Sequence, residues 1–462
     1  MRFPRLSEVR NLFRTASASH VRALDAATGA KRGQGMGLFG PVNPEVSAGA
    51  AITRSRARYL ANNHTFLSNG VANQVAALVG AGARPSVKAQ DDFTRALAAR
   101  TFEAWADEAD YSERTDFWGL QREMARHLVV DGECIVILHN APDGLRLQIV
   151  PPELLDEAKT ATLGDGRDIV SGVEFDAQGR RVAYWILRQQ PTSTFAEYAP
   201  SVRFDASDVL HVMQPLAAGQ VRGLSWLAPA VLTASELDQL TDALIVSAKI
   251  AAMHAGFVTD TTSMGGVGDA FAEGIGDISI EPGVVRILPG GATIDFNSPE
   301  QLKDAPAFVR LNLQALAAAL GLPEHLLSGD LTNANFSSLR AGLIPFRARI
   351  EQTQYGTLAP QFLRPIWRRW LALELAAGRV DLPADLRAEW IMPRSLQGLD
   401  PVKEIAATRE ALAAGLMSRT QDVNEFGWSA DDLDREIAQD RAREAEMGLS
   451  FSTTQKESDD AA

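Results

Sequence analysis

Seven histidines, one cysteine and one glycine triplet are the residues of this 462-residue chain whose types and spacing could do chemistry. His20, His64, His127, His139, His211, His254 and His325 show no HExxH spacing, and none shares a close spacing with a carboxylate pair. A zinc or di-metal site would need such clustering, so none is expected. Cys134 lies in a strand-like run among Val and Ile, where a thiol reads as a small buried hydrophobe rather than a nucleophile. A lone cysteine also excludes an internal disulfide and suits a reducing compartment. Gly35, Gly37 and Gly40 spell GxGxxG, but they follow no strand, open no helix and precede Pro41. A dinucleotide phosphate needs a helix N-terminus at that place. No GxxxxGK[ST] loop and no GxSxG elbow occur. The chain is not expected to be an enzyme or to hold a cofactor.

Basic residues raise a different possibility. Lys249, Lys303 and Arg310 fall on two long helical stretches. They read either as solvated or intersubunit ion-pairing side chains, or as a sparse set of phosphate-touching cations along a channel. Arg340, Arg347 and Arg349 read as ties between a later helix and its neighbour. The formal net charge of −13 argues against a generic nucleic-acid binder, which would carry a basic face. The ends differ in sign: residues 1–60 hold ten Lys/Arg against three Asp/Glu, and residues 429–462 four against ten. Solvated tails are the plain reading of both.

The elements that must position these residues change period along the chain. Residues 1–50 are rich in Gly, Ala and Ser with scattered Arg, and read as a flexible basic arm. Helical spacing runs from Thr53 to Val79, then over 92–108 and 117–130. Strand-like runs follow at 133–139 and 146–150 around Pro142-Asp143-Gly144, and at 169–175 and 181–187 around residues 176–179, with a fifth at 209–213. This predicts an α+β unit with a mostly antiparallel sheet. A helix over 225–255 would span about 45 Å at 1.5 Å per residue. Glycine-rich residues 265–276 and short strands within 277–296 separate it from a second helix, which starts at Ser298-Pro299-Glu300-Gln301 and ends at Gly321. Its apolar stripe is Val309, Leu313, Leu316 and Leu320. Pro345, Pro360 and Pro365 should kink or break a helix over 338–377, which Trp367 and Trp370 should anchor in the core. Two further helices over 400–427, the second starting at Ser418–Gln421, a charged helix over 428–447 and a disordered tail complete the chain. No run of about 18 apolar residues predicts a membrane span.

Between the two helical halves lies LPEHLLSGDLTNANFSSLRAGLIPFRAR at 322–349, a Pro-started turn, an acidic-to-neutral loop and a Ser-Ser helix start. With RSRARYLANN and VGAGARP within 54–85, the 105–137 block, LQIVPPELLD at 147–156, 172–187, 208–231 and 317–343, it resembles the portal proteins of lambda-like tailed bacteriophages. The blocks occur in order over about residues 50–375. The resemblance implies a portal fold that is α+β and mainly helical. Its parts would be a wing (51–225), stem helices (226–255 and 299–320), a small β-containing clip (256–298), a tunnel-loop region (321–337), a long wing helix (338–395), a helical crown (396–447) and a tail (448–462). It further implies a dodecameric ring at the capsid vertex that passes double-stranded DNA during packaging and ejection. The partners would be terminase, the major capsid protein or scaffold, and head–tail adaptors. The locations would be the virion and, during assembly, the host cytoplasm. Asp330, Thr332, Asn333, Asn335 and Phe336 would form the loop projecting into the bore, its position rather than its charge governing DNA passage. A minor capsid or adaptor protein is the alternative, and a divergent enzyme fits less well.

Overall fold

Two prolines and a buried stripe set the first described helix. The computed structural model describes residues 40–89, 91–188, 200–253, 257–259, 286–288, 305–332, 335–393, 401–426 and 428–449. Helix α1 (Val42–Asn63) follows Pro41 and carries Pro44 in its first turn, where no intrahelical N–H is lost. Val46, Ala50, Ala57, Leu60 and Ala61 are buried along one face. Within the stretch 1–50 expected as a flexible arm, residues 42–50 are instead helical, because Val46 and Ala50 have a core to cover. The Asn43 amide adds an anchor, donating to the Gly219 carbonyl at 2.9 Å and accepting from the Val221 N–H at 2.9 Å. The GxGxxG residues 35–39, His20 and the rest of the arm lie outside the described residues.

The stretch read as one helical pattern from Thr53 to Val79 is two helices. His64 adopts an extended backbone and its Nδ1 accepts from the Leu67 N–H, capping α2 (Thr65–Val79). Strand β1 (Arg84–Lys88) leads to α3 (Asp92–Ala106) and α4 (Phe117–Val130), capped by the Asp91 and Asp116 carboxylates. Strands β2 (Glu133–Ala141) and β3 (Gly144–Val150) form the first expected hairpin. The continuous apolar run of β2 is explained by its place: Cys134, Val136 and Leu138 face the main core, and Ile135 and Ile137 a second one.

The expected strand over 169–175 is broken. Ser171 and Gly172 have φ of 48° and 84°, a two-residue turn separating residues 167–170 from 173–175, as Ser-Gly permits. Strands β4 (Ala161–Gly164), β5 (Arg167–Val170), β6 (Val173–Phe175), β7 (Arg181–Ile186) and β8 (Val202–Asp205) make one antiparallel meander. Strand β9 (Val209–Met213) instead joins β2 in a separate sheet of order β3-β2-β9. The single sheet expected from sequence is thus two sheets that share the second core.

Helix α5 (Val231–Met253) packs on α6 (Ala305–Leu320). Between them, β10 (Phe257–Thr259) and β11 (Arg286–Leu288) pair in parallel. The glycine-rich residues 265–276, the turns at 281–283 and 289–291 and the expected helix start at 298–301 lie outside the described residues. The stripe of α6 is as expected, with Leu313, Leu316 and Leu320 buried and Val309 packed beside them. After the short α7 (Glu324–Ser328), α8 (Phe336–Thr353) runs into a π-helical segment (Gln354–Leu363) and then α9 (Arg364–Ala376). The three prolines do not break this rod. Pro360 lies in the π segment, whose wider turn relieves the clash of its ring with the preceding turn, and Pro365 opens α9. Strand β12 (Arg387–Ile391) then pairs with β1, tying the C-terminal half to the N-terminal one. Helices α10 (Pro401–Ala413), α11 (Arg419–Glu425) and α12 (Ala430–Met447) follow, and at the helix start expected over Ser418–Gln421 the two residues form a capping box. The tail beyond residue 449 lies outside the described residues. The fold is α+β and mainly helical. Among the described residues no helix is long and apolar enough to cross a membrane.

An aromatic cluster locks the rod to the N-terminal helices. Phe102 meets Trp370 edge-on at 5.1 Å and Phe117 at 5.7 Å, and Trp367 lies 5.0 Å from Trp370. Trp370 is fully buried. Trp370→Ala is expected to cost about 3–5 kcal/mol, read as a lower urea midpoint with unchanged slope. A loss under about 1 kcal/mol would mean that the cluster does not hold the rod.

Candidate functional site

The loop singled out by sequence is built by its own short side chains. Gly321 (φ 69°) stops α6, and Gly329 (φ 73°) stops α7 in the left-handed conformation. The Asp330 carboxylate accepts from the Thr332 N–H at 2.8 Å and from the Thr332 hydroxyl. These bonds hold the exposed Asp330 carboxyl below its usual range, with a smaller contribution from Arg310. Asn335 is the N-cap of α8: its Oδ1 accepts from the Ser338 N–H at 2.8 Å, while its own N–H donates to Ser338 Oγ at 3.2 Å. Its amide therefore has a structural task that the sequence reading did not assign. Phe336 opens α8, and Asn333 lies outside the described residues. Leu331, Thr332 and Asn335 are exposed.

The three candidate cations are not gathered into one cluster. Lys249 is exposed on α5, and among the described residues no hydrogen bond or ion pair ties it to the loop. Arg310, on α6, lies 3.6 Å from the Glu324 carboxylate, which also accepts from Gln314. Part of its charge is thereby matched within the chain. Lys303 lies outside the described residues. Arg349 packs against the backbone at Gly321, where an added Cβ would sit 2.5 Å from its Nη1.

Sequence reasoning missed a buried polar constellation around Glu133. Its carboxylate accepts from Arg222 Nη2 at 2.6 Å, His211 Nε2 at 2.9 Å, the Gly223 N–H at 2.6 Å and Arg54 Nη2 at 3.4 Å. Arg222 also donates to the Pro152 carbonyl and to Glu157, and Arg54 to Glu157. One turn along α1, Arg58 bridges Asp131 and Glu153. Gly132 and Gly223 let two backbones pass, since a Cβ on Gly223 would lie 2.4 Å from the Gly132 carbonyl oxygen. The signals were faint: an acid opening an apolar strand, and Arg54 and Arg58 four apart on one helix face. The partners are buried or half-buried and come from α1, β9 and the loop at 220–223, so the constellation holds the fold together. Among the described residues no group of side chains could hold a metal ion.

Burial works against the charge of Glu133, but the Arg222 charge and the His211 hydrogen bond outweigh it and hold the carboxyl far below its ordinary 4.5. Burial lowers His211 below its ordinary 6.5, despite Glu133. Both folded values are depressed, so both contributions are complete above the unfolded values and are lost as pH falls. Stability should decline below about pH 6.5 and more steeply below about 4.5. Glu133→Gln should cost about 3–5 kcal/mol at pH 7.5 and flatten the acid limb, as followed by urea midpoints across pH. An unchanged acid limb would show that Glu133 is not its source.

The sequence pattern described as "Phage portal protein, lambda family" matches residues 39–354. A probable portal protein of Halomonas phage phiHAP-1 is 26% identical over 383 residues, covering 78% of this chain and 72% of that protein. The chain is also similar to the neck of an empty GTA particle computed with C6 symmetry, with a TM-score of 0.41 and 15% identity over 85% of this chain and 95% of that one. For the neck of a native GTA particle computed with C12 symmetry the TM-score is 0.38 and the identity 14%, over 83% and 94%. With more than half its length matched, the chain belongs to the lambda family of phage portal proteins. It is a portal subunit, a structural protein of the capsid vertex.

Proposed function

We propose that copies of this chain close into a dodecameric ring whose bore passes double-stranded DNA into the capsid and out again. The observation that carries the ring is the apolar surface of the α5–α6 pair. Leu232, Ile245 and Val246 on α5, and Phe308 and Leu311 on α6, are exposed in the single chain. Side chains of this size on two adjacent helices are what a neighbouring copy would cover. In this reading α5 and α6 are stem helices and the residues between them the clip, which would dock terminase and later the head–tail adaptors. Residues 51–225 would be the wing, 338–395 the stretch expected as the long wing helix, in which the helical rod ends at Ala376 ahead of β12, and 396–447 the crown. Capsid protein or scaffold would meet the outer surface, with assembly in the host cytoplasm and residence in the virion.

The 329–335 loop would face the bore. It carries Asp330, Thr332, Asn333 and Asn335 and no cation. Phosphate–cation contacts add salt-dependent affinity, and so would add drag on moving DNA. A loop without cations limits passage by position and weak polar contact instead. Lys249, Lys303 and Arg310 would be a sparse set at most, with Arg310 already facing Glu324.

Native mass spectrometry with negative-stain images tests the ring: a closed ring of about twelve copies is expected, and a stable dimer without a bore would overturn the reading. For the loop, Thr332→Gln with Asn333→Gln adds bulk without charge and spares the Asn335 cap. The rings should form as usual while the yield of packaged DNA falls. Normal yield would remove the loop from the path.

A further inference from the structure

The loop hangs on α7, a helix of five residues, Glu324–Ser328. So short a helix has little stability of its own and leaves most of its carbonyls without an intrahelical donor. Donors come from α2. Asn73 Nδ2 donates to the Leu326 carbonyl at 2.6 Å, and Asn69 Nδ2 reaches the Leu326 and Leu327 carbonyls at 3.1 and 3.0 Å. Asn69 and Asn73 are one turn apart and also touch each other, with Asn73 Nδ2 3.4 Å from Asn69 Oδ1. From the next position, buried Gln74 donates to the Leu320 carbonyl at 2.6 Å, closing the C-terminus of α6. Between these amides sits Gly70. A Cβ there would lie 2.7 Å from Leu327 Cδ1, 3.2 Å from Leu320 Cδ1 and 3.3 Å from Leu322 Cδ1. Small residue and amides together press the ends of α6 and α7 onto one face of α2.

We infer that Asn69, Asn73 and Gln74 form an amide clamp by which α2 fixes the height of the 329–335 loop, which makes them positioning residues for DNA passage. The inference rests on the reading of that loop as bore-facing. Asn69 and Asn73 take up the α7 carbonyls that the helix's own bonds leave over, and Gln74 holds the end of α6 just before it. Gly329 and Asp330 follow directly, so a shift of α7 along α2 moves the loop with it. The other end of the loop is fixed separately, by the Asn335 cap on α8.

The test is the double variant Asn69→Ala/Asn73→Ala in the assembled protein. Alanine is the better helix former, so α2 is not weakened by the change itself. Hydrogen exchange of the amides at 324–332 should speed up by about tenfold or more, with those of β2 unchanged. Packaged DNA should fall in a complementation assay. Asn73→Asp, which keeps the shape and loses the donor, should act in the same direction, and Asn73→Gln should restore part of the protection. Unchanged exchange at 324–332 would overturn the clamp and leave the loop reading to the Thr332/Asn333 variant. Faster exchange with normal packaging would overturn the clamp's role in DNA passage. If the Thr332/Asn333 variant also packaged normally, the loop reading itself would be at fault.

Discussion

The fold depends on one buried charge. Glu133 has no exposure at all and stands at the start of β2, the strand that separates the two apolar cores. An ionised carboxylate in that place is tolerable only with its full set of partners. Those partners come from α1, β9 and the loop at 220–223. Displacing any one of these elements would leave charge uncompensated at the seam. Such an arrangement contributes less to net stability than apolar packing of the same volume would. It selects one relative placement of helix, sheet and loop over its near neighbours.

A second constraint acts at longer range. The α8–π–α9 rod contributes Phe362, Trp367 and Trp370 to the aromatic cluster and Gln354 to the carbonyls that end α2. The β1–β12 pair closes the circuit from the other side of the sequence. The N-terminal helices are therefore held by residues more than 250 positions later. The loop and the helix pair around it are anchored to this frame through α2, whose other face belongs to the main core.

Local pattern carried much of this, and its failures have physical reasons. The apolar run at 133–139 reads as a strand because period and composition agree, and the structure adds that both faces are covered. The turn at 176–179 was legible because Asp176 takes up its own loop's N–H groups. The break at Ser171-Gly172 was not, since one polar residue and a glycine in an apolar run fit a strand nearly as well as a turn. The prolines in the rod were legible as disturbances, but the π segment depends on core contacts on its buried side. The Glu133 constellation spans residues 54 to 223, so no window of sequence contains it. Asn335 reads from sequence as a loop residue without its capping task, which needs the helix start to be known to within one residue.

Cys134 gives the molecule a practical property. It is the single cysteine of the chain, fully enclosed on β2, and burial pushes its thiol well above the ordinary range. Alkylating reagents need an accessible thiolate, and this sulfur offers neither access nor ionisation. A fluorophore or spin label directed to a cysteine introduced at an exposed position would therefore report from that position alone, with the native residue left in place and the core undisturbed.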